Sequence, residues 1–233
     1  MSADYTTETV DDRSGGIIHP VLNLDLTTIV NLVITMLIAF TVHEYAHAWT
    51  ADQLGDDTPR LNGRLTLNPL AHLDPLGALM LLIAGFGWAK PVPVNPYLLM
   101  RRTPAGAMLV SIAGPFANLV MAIVGALPFR MGLLNLLDSN PQFVITAMRF
   151  LTIFISTNLL LLFFNLIPIF PLDGEKVMEY FLPPRGKEFL YRIRPYGQMI
   201  LMGLILLGSV AGFNLLGMLI GIPTGIMFDL LIS

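Results

Sequence analysis

The chain has 233 residues, 55% hydrophobic and only 12% charged, with a mean hydropathy of +0.70. Soluble domains carry roughly twice that charge, so the composition excludes an ordinary soluble domain and points to an integral membrane protein. A net charge of −3 gives no basis for nucleic-acid binding, and the absence of cysteine excludes disulfides and thiolate metal ligands.

Residues 1–25, with Asp4, Glu8, Asp11, Asp12, Arg13 and the pair Gly15-Gly16, read as a flexible polar lead-in. They lack the basic start and short apolar core of a cleavable signal peptide. Residues 26–233 then form a single all-α membrane domain. A membrane core of about 30 Å takes ~20 apolar residues to cross. Four stretches are candidates: 26–51, 104–129, 150–167 and 197–222. A fifth apolar run, 76–88, is too short to span and reads as a re-entrant or interfacial element. The Pro-rich segment Trp88–Pro96 is extended, because its prolines remove ladder donors. It is either a plain interfacial loop or an edge that pairs with an unwound peptide segment.

Lysine and arginine set the orientation. The connection after the first span holds Arg60, Arg64, Lys90, Arg101 and Arg102. The one after the third holds Lys176, Arg185, Lys187, Arg192 and Arg194. Both loops are therefore expected in the cytoplasm and both termini outside, in a multi-pass protein of the cell membrane. The Arg185–Arg194 cluster reads as a headgroup anchor.

The first span contains His43-Glu44-Tyr45-Ala46-His47, and from Leu26 to Ala51 Glu44 is the only residue charged at neutral pH. A carboxylate in hydrocarbon costs roughly 2.5–3.5 kcal/mol even on lenient scales, so it must face a partner or a water-filled cavity. On a helix His43 and His47 lie one turn apart on one face and can converge on one metal ion. Glu44, rotated by ~100°, can act on water beside the metal without being a ligand. The site lies about 13 Å along the helix from Asp52, at 1.5 Å per residue. A catalytic zinc site normally uses three protein ligands. Asp173 is the third candidate, since the third span breaks at Pro168 and Pro171 and delivers Asp173-Gly174 to the same membrane face.

The motifs HEYAH, GRLTLNPLAHLDPLG, GWAKPVPVNP, SIAGPFANL and NLIPIFPLDG, spread over most of residues 26–182, resemble the site-2 protease (M50) family of intramembrane zinc metalloproteases. The likeness is to the compact prokaryotic branch without PDZ or CBS domains. It implies one Zn2+ held by His43, His47 and Asp173, Glu44 as catalytic acid/base, and a transmembrane protein or peptide as substrate. With no such module, gating would fall to membrane elements or a separate regulatory membrane protein.

Three further polar residues have two readings each. Asn118 lies in Gly114-Pro115-Phe116-Ala117-Asn118, whose small residues allow close helix packing, and Asn165 reads as a buried amide bonding between helices; the other reading of either amide is that it orients the substrate carbonyl and its oxyanion. His72, in a turn-forming stretch, either stabilises that turn or serves as an accessory metal contact. The rival functions are a protease of soluble or juxtamembrane peptides, a membrane-embedded metal-binding transporter, and an inactive scaffold. Transporters commonly show internal repeats and dispersed intramembrane polar groups, and neither is evident here.

Overall fold

Four helices of the computed structural model, which describes residues 25–77, 88–134, 141–210 and 215–233, are long and apolar enough to cross a membrane. The first, α1, runs Leu26–Gln53 and starts where Asp25 caps it: Thr28 donates its backbone N–H and its hydroxyl to the Asp25 carboxylate, each at 2.9 Å. Short helices follow, among them α2 (Thr58–Leu61), α3 (Pro69–His72) and α4 (Pro96–Arg102), each opened by a proline in its first turn. The second long helix, α5 (Gly106–Arg130), is central and packs against both α1 and α6 (Pro141–Asn165). After α6 come α7 (Asp173–Phe181), α8 (Pro184–Ile193), α9 (Gly197–Val210) and α10 (Leu215–Ile232). No strand occurs among the described residues; their only β pairing is an isolated antiparallel bridge between Leu73 and Ala89.

Two of the expected spans shift. The third helix begins at Pro141 rather than 150. Arg149 is accommodated inside it because its guanidinium pairs with Asp25 at 3.3 Å. That contact also puts the N-terminal ends of α1 and α6 at one end of the bundle, so the two run parallel. The fourth helix long and apolar enough to cross a membrane is α10, which runs through Pro223 to Ile232, where 197–222 was expected; within that stretch the described residues form α9 and the start of α10. In apolar surroundings neighbouring groups re-satisfy a backbone freed by proline. Most of the 76–88 run lies outside the described residues.

Apolar clusters hold the bundle, among them Ala51, Leu99 and Val110, which join α1, α4 and α5. Ala122 and Ala126 of α5 meet Ile155, Leu159 and Leu162 of α6, with Met227, Phe228 and Leu231 of α10 packed against them. Leu172, Leu201 and Leu216 join the linker before α7 to α9 and α10. The linker itself is a run of turns and bends, with Ile169 N–H donating to the Ile167 carbonyl and Leu172 N–H to that of Ile169, and the Phe170–Pro171 peptide is cis.

Candidate metal centre

His43, Glu44 and His47 lie on the buried part of α1, each no more than 9% exposed. Asp173, the first residue of α7, reaches them from the other side: its Oδ2 is 3.2 Å from the Nε2 of each histidine, and the two Nε2 atoms are 3.0 Å apart. Each imidazole is held at its other nitrogen. His47 Nδ1 donates to the Val110 carbonyl at 2.7 Å, and His43 Nδ1 donates to Asn118 Oδ1 at 2.6 Å. With the protons on Nδ1, neutral imidazoles turn two bare lone pairs and a carboxylate oxygen toward one point. Three acceptors without a donor repel one another unless a cation lies between them. A tetrahedral zinc with bonds of ~2.0–2.1 Å has ligand atoms about 3.3 Å apart, close to these separations. Two imidazoles, one carboxylate and an open position suit zinc.

Two glycines set this approach. A Cβ on Gly114 of α5 would stand 2.6 Å from both Nε2 and Cε1 of His43, and against His47 Nε2 as well. Only glycine lets the α5 backbone pass so close to the ligand atoms. The sequence reading gave that stretch a general packing role; the structure gives Gly114 a specific one. Gly174 works the same way on Asp173. Its backbone is not left-handed. A Cβ there would collide with the Leu166 carbonyl and lie 2.6 Å from that of Ile167. Its missing side chain seats α7 against the end of α6. Next to it, Glu175 is buried and paired with the Arg194 guanidinium, whose Nε donates at 2.6 Å. Arg194 also binds Glu179, so a charge cluster ties α7 to the turn that precedes α9.

Glu44, His43, His47 and Asp173 line one cavity of about 630 Å³. Asn165 lines it too, with one amide N–H donated to the Leu161 carbonyl at 3.0 Å. An amide nitrogen carries two donors, so a second remains. Asn118 differs. It is completely buried, with its oxygen on His43 and its nitrogen donating to Asn158 Oδ1 at 2.9 Å, so it faces the ligand and not the cavity. His72 does not join the His43, His47 and Asp173 group. Its Nε2 donates to the Thr66 carbonyl at 2.8 Å, which stabilises the turn. Above the ligands, residues of the 88–94 segment form one wall. Arg64 clamps that segment, donating to the carbonyls of Ala71 at 2.7 Å and Lys90 at 3.1 Å. Neither Asn158 nor Arg64 was anticipated from sequence. Nothing marks Asn158 within an apolar span except its polarity.

These features define a multi-span membrane protein with two histidines and one carboxylate converging inside the bundle as a candidate metal centre. The profile of Peptidase family M50 matches residues 130–208, a stretch that includes Asp173. The chain is 43% identical over 185 residues to "Putative zinc metalloprotease YwhC" of Bacillus subtilis (strain 168), covering 76% of this chain and 82% of that protein. It is 32% identical over 183 residues to "Putative zinc metalloprotease Rip2" of Mycobacterium tuberculosis (strain ATCC 25618 / H37Rv), covering 76% and 67%. No solved structure matches it significantly. The chain belongs to peptidase family M50.

Proposed function

We propose that this M50 peptidase is an intramembrane zinc endopeptidase that cuts peptide bonds in or near transmembrane segments of other membrane proteins. The observation that carries the reading is the convergence of His43, His47 and Asp173 beside Glu44 in a cavity enclosed by spanning helices. The names of the relatives support a zinc-dependent protease, and the buried position of the ligands favours a membrane substrate over a soluble one. The lysine and arginine counts support a cavity that opens to the cytoplasm and termini on the outside.

His43, His47 and Asp173 would hold the ion. When bound, zinc lowers the pKa of a water toward ~7 and polarises the scissile carbonyl. Glu44 takes the proton of the attacking water and hands it to the leaving amine. The free amide N–H of Asn165 orients the carbonyl and its oxyanion. Asn118 keeps His43 in register and does not touch substrate. The 88–94 wall supports backbone pairing with an extended substrate segment. A helical peptide bond is occupied by its own hydrogen bonds, so the substrate must unwind first, which favours helix-breaking residues near the cut. A separate membrane protein would regulate access.

Purified wild type and Glu44→Gln, reconstituted with a panel of single-span substrates with and without a zinc chelator, test the reading. Chelator-sensitive cleavage within the span, absent in Glu44→Gln, is expected. Stoichiometric zinc binding with no cleavage across a broad panel would favour a transporter or scaffold.

A further inference from the structure

His43 can offer Nε2 to a metal only if its proton sits on Nδ1, and a neutral imidazole does not fix that choice by itself. For His47 the backbone decides, because the Val110 carbonyl can only accept. For His43 the neighbour is an amide side chain, Asn118, which can present either its oxygen or its nitrogen. The choice is made further away. On α6, Asn158 donates from Nδ2 to the Phe154 carbonyl at 2.8 Å, within its own helix. That carbonyl can only accept, so Asn158 must turn its oxygen to α5. Asn118 must then present its nitrogen, at 2.9 Å, and its oxygen is left for His43 at 2.6 Å. Only an N–H completes that contact.

We propose that Asn158 is a positioning residue for the metal centre: it takes its polarity from the α6 backbone and passes it through Asn118 to fix the proton on His43 Nδ1. Both asparagines are 0% exposed, so no water can correct a reversed amide. A reversal at either would set like ends face to face. A purely adhesive hydrogen bond between helices has no such direction, and the direction is what the test reads. This inference rests on the metal reading above.

The test uses the full chain in detergent as wild type, His43→Ala, Asn158→Leu and Asn158→Asp. Leucine resembles asparagine in shape but can neither donate nor accept a hydrogen bond; a buried aspartate without a cation stays neutral, donates its O–H to the Phe154 carbonyl and still accepts from Asn118. Zinc affinity is measured by competition with a chromophoric chelator, and the His43 tautomer by 15N-resolved NMR of the metal-free protein at alkaline pH. Asn158→Leu should lose at least ~10-fold in zinc affinity, the lower end for lost outer-shell partners, while Asn158→Asp stays within about threefold of wild type. Wild type and Asn158→Asp should both carry the proton on Nδ1. Unchanged affinity in Asn158→Leu, or an equal loss in both variants, overturns the proposal. Should Asn158→Leu fail to fold, a wild-type spectrum with the proton on Nε2 overturns it and one with the proton on Nδ1 in both remaining proteins supports it. A different result, no zinc bound by wild type or no loss in His43→Ala, would refute the metal centre itself.

Discussion

Gly114→Ala is the smallest change expected to dismantle the site. The added methyl would sit 2.6 Å from His43 Nε2 and Cε1, about 0.8 Å inside ordinary van der Waals contact. The obstruction cannot swing aside as the end of a flexible chain would, because both imidazoles are tied at Nδ1. If α1 and α5 separate by that amount, the His47–Val110 hydrogen bond, now 2.7 Å, stretches beyond the ~3.2 Å limit of an N–H···O bond. If the ring turns instead, its Nε2 leaves the point shared with Asp173. In either case a ligand is misplaced, and a loss of zinc affinity of about 100-fold is expected, at the upper end for displaced ligand support. Global stability should change less. Alanine gains up to ~1 kcal/mol of helix propensity over glycine, against an overpacking cost of ~1–3 kcal/mol. Gly125→Ala on the same helix is the control: its Cβ would meet Phe154 at 2.9 Å and Ile155 at 3.2 Å, and no ligand. Chelator competition and thermal melting in detergent measure both effects. Wild-type zinc affinity in Gly114→Ala would refute the reasoning.

Asp173→Ala should lose zinc while Glu44→Gln retains it and falls in turnover by ~10²–10⁴, the range for a lost general base; equal metal content in Asp173→Ala and wild type, by elemental analysis, would sink the ligand assignment. Lys176 is the only lysine or arginine lining the cavity among the described residues. Substrates with an acidic residue beside the cleaved bond should therefore be cut faster, with the preference reversed in Lys176→Glu. Its exposed position limits the effect to about 0.2–1 kcal/mol, or up to roughly fivefold in kcat/KM per substrate; identical preference profiles would refute it. Arg194→Met leaves Glu175 buried without its cation. Because Arg194 is itself 37% exposed, the cost is discounted from the ~3–5 kcal/mol of a fully buried pair to about 1–2 kcal/mol. Arg192→Met breaks only an exposed i,i+4 pair with Glu188 and should cost below ~0.5 kcal/mol; equal melting shifts for the two would refute the distinction.

The candidate ligands could be picked out from sequence because their logic is partly local. Two histidines four residues apart on a helix share a face whatever surrounds them, and a lone glutamate in an apolar span demands a polar partner. Asp173 could be read because breaks at Pro168 and Pro171 and the charge balance of the loops bring it to the right end of the bundle. Asn158 and Gly114 could not be read in this way. Their roles depend on the rotation of α5 and α6 about their own axes, and an apolar helix in a membrane carries little amphipathic signal of which face turns inward. The same weakness left Asn118 open between packing and substrate contact until both ends of its amide had partners.

The earlier start of the third long helix has a related cause. Hydropathy ends a segment at the first charge, so the third span was begun after Arg149, yet a charge within a helix is tolerable where an opposite one meets it. Asp25 does two jobs there, capping α1 through Thr28 and pairing with Arg149 of α6. The pair holds together the ends of the two parallel helices opposite the metal centre. At the other end α1 presents His43 and His47, while α6 gives way to the turns that carry Asp173. Because α6 also carries Asn158, the helix that leads to the carboxylate ligand is the one that orients the first histidine, so a small rotation of α6 would disturb two of the three ligands at once.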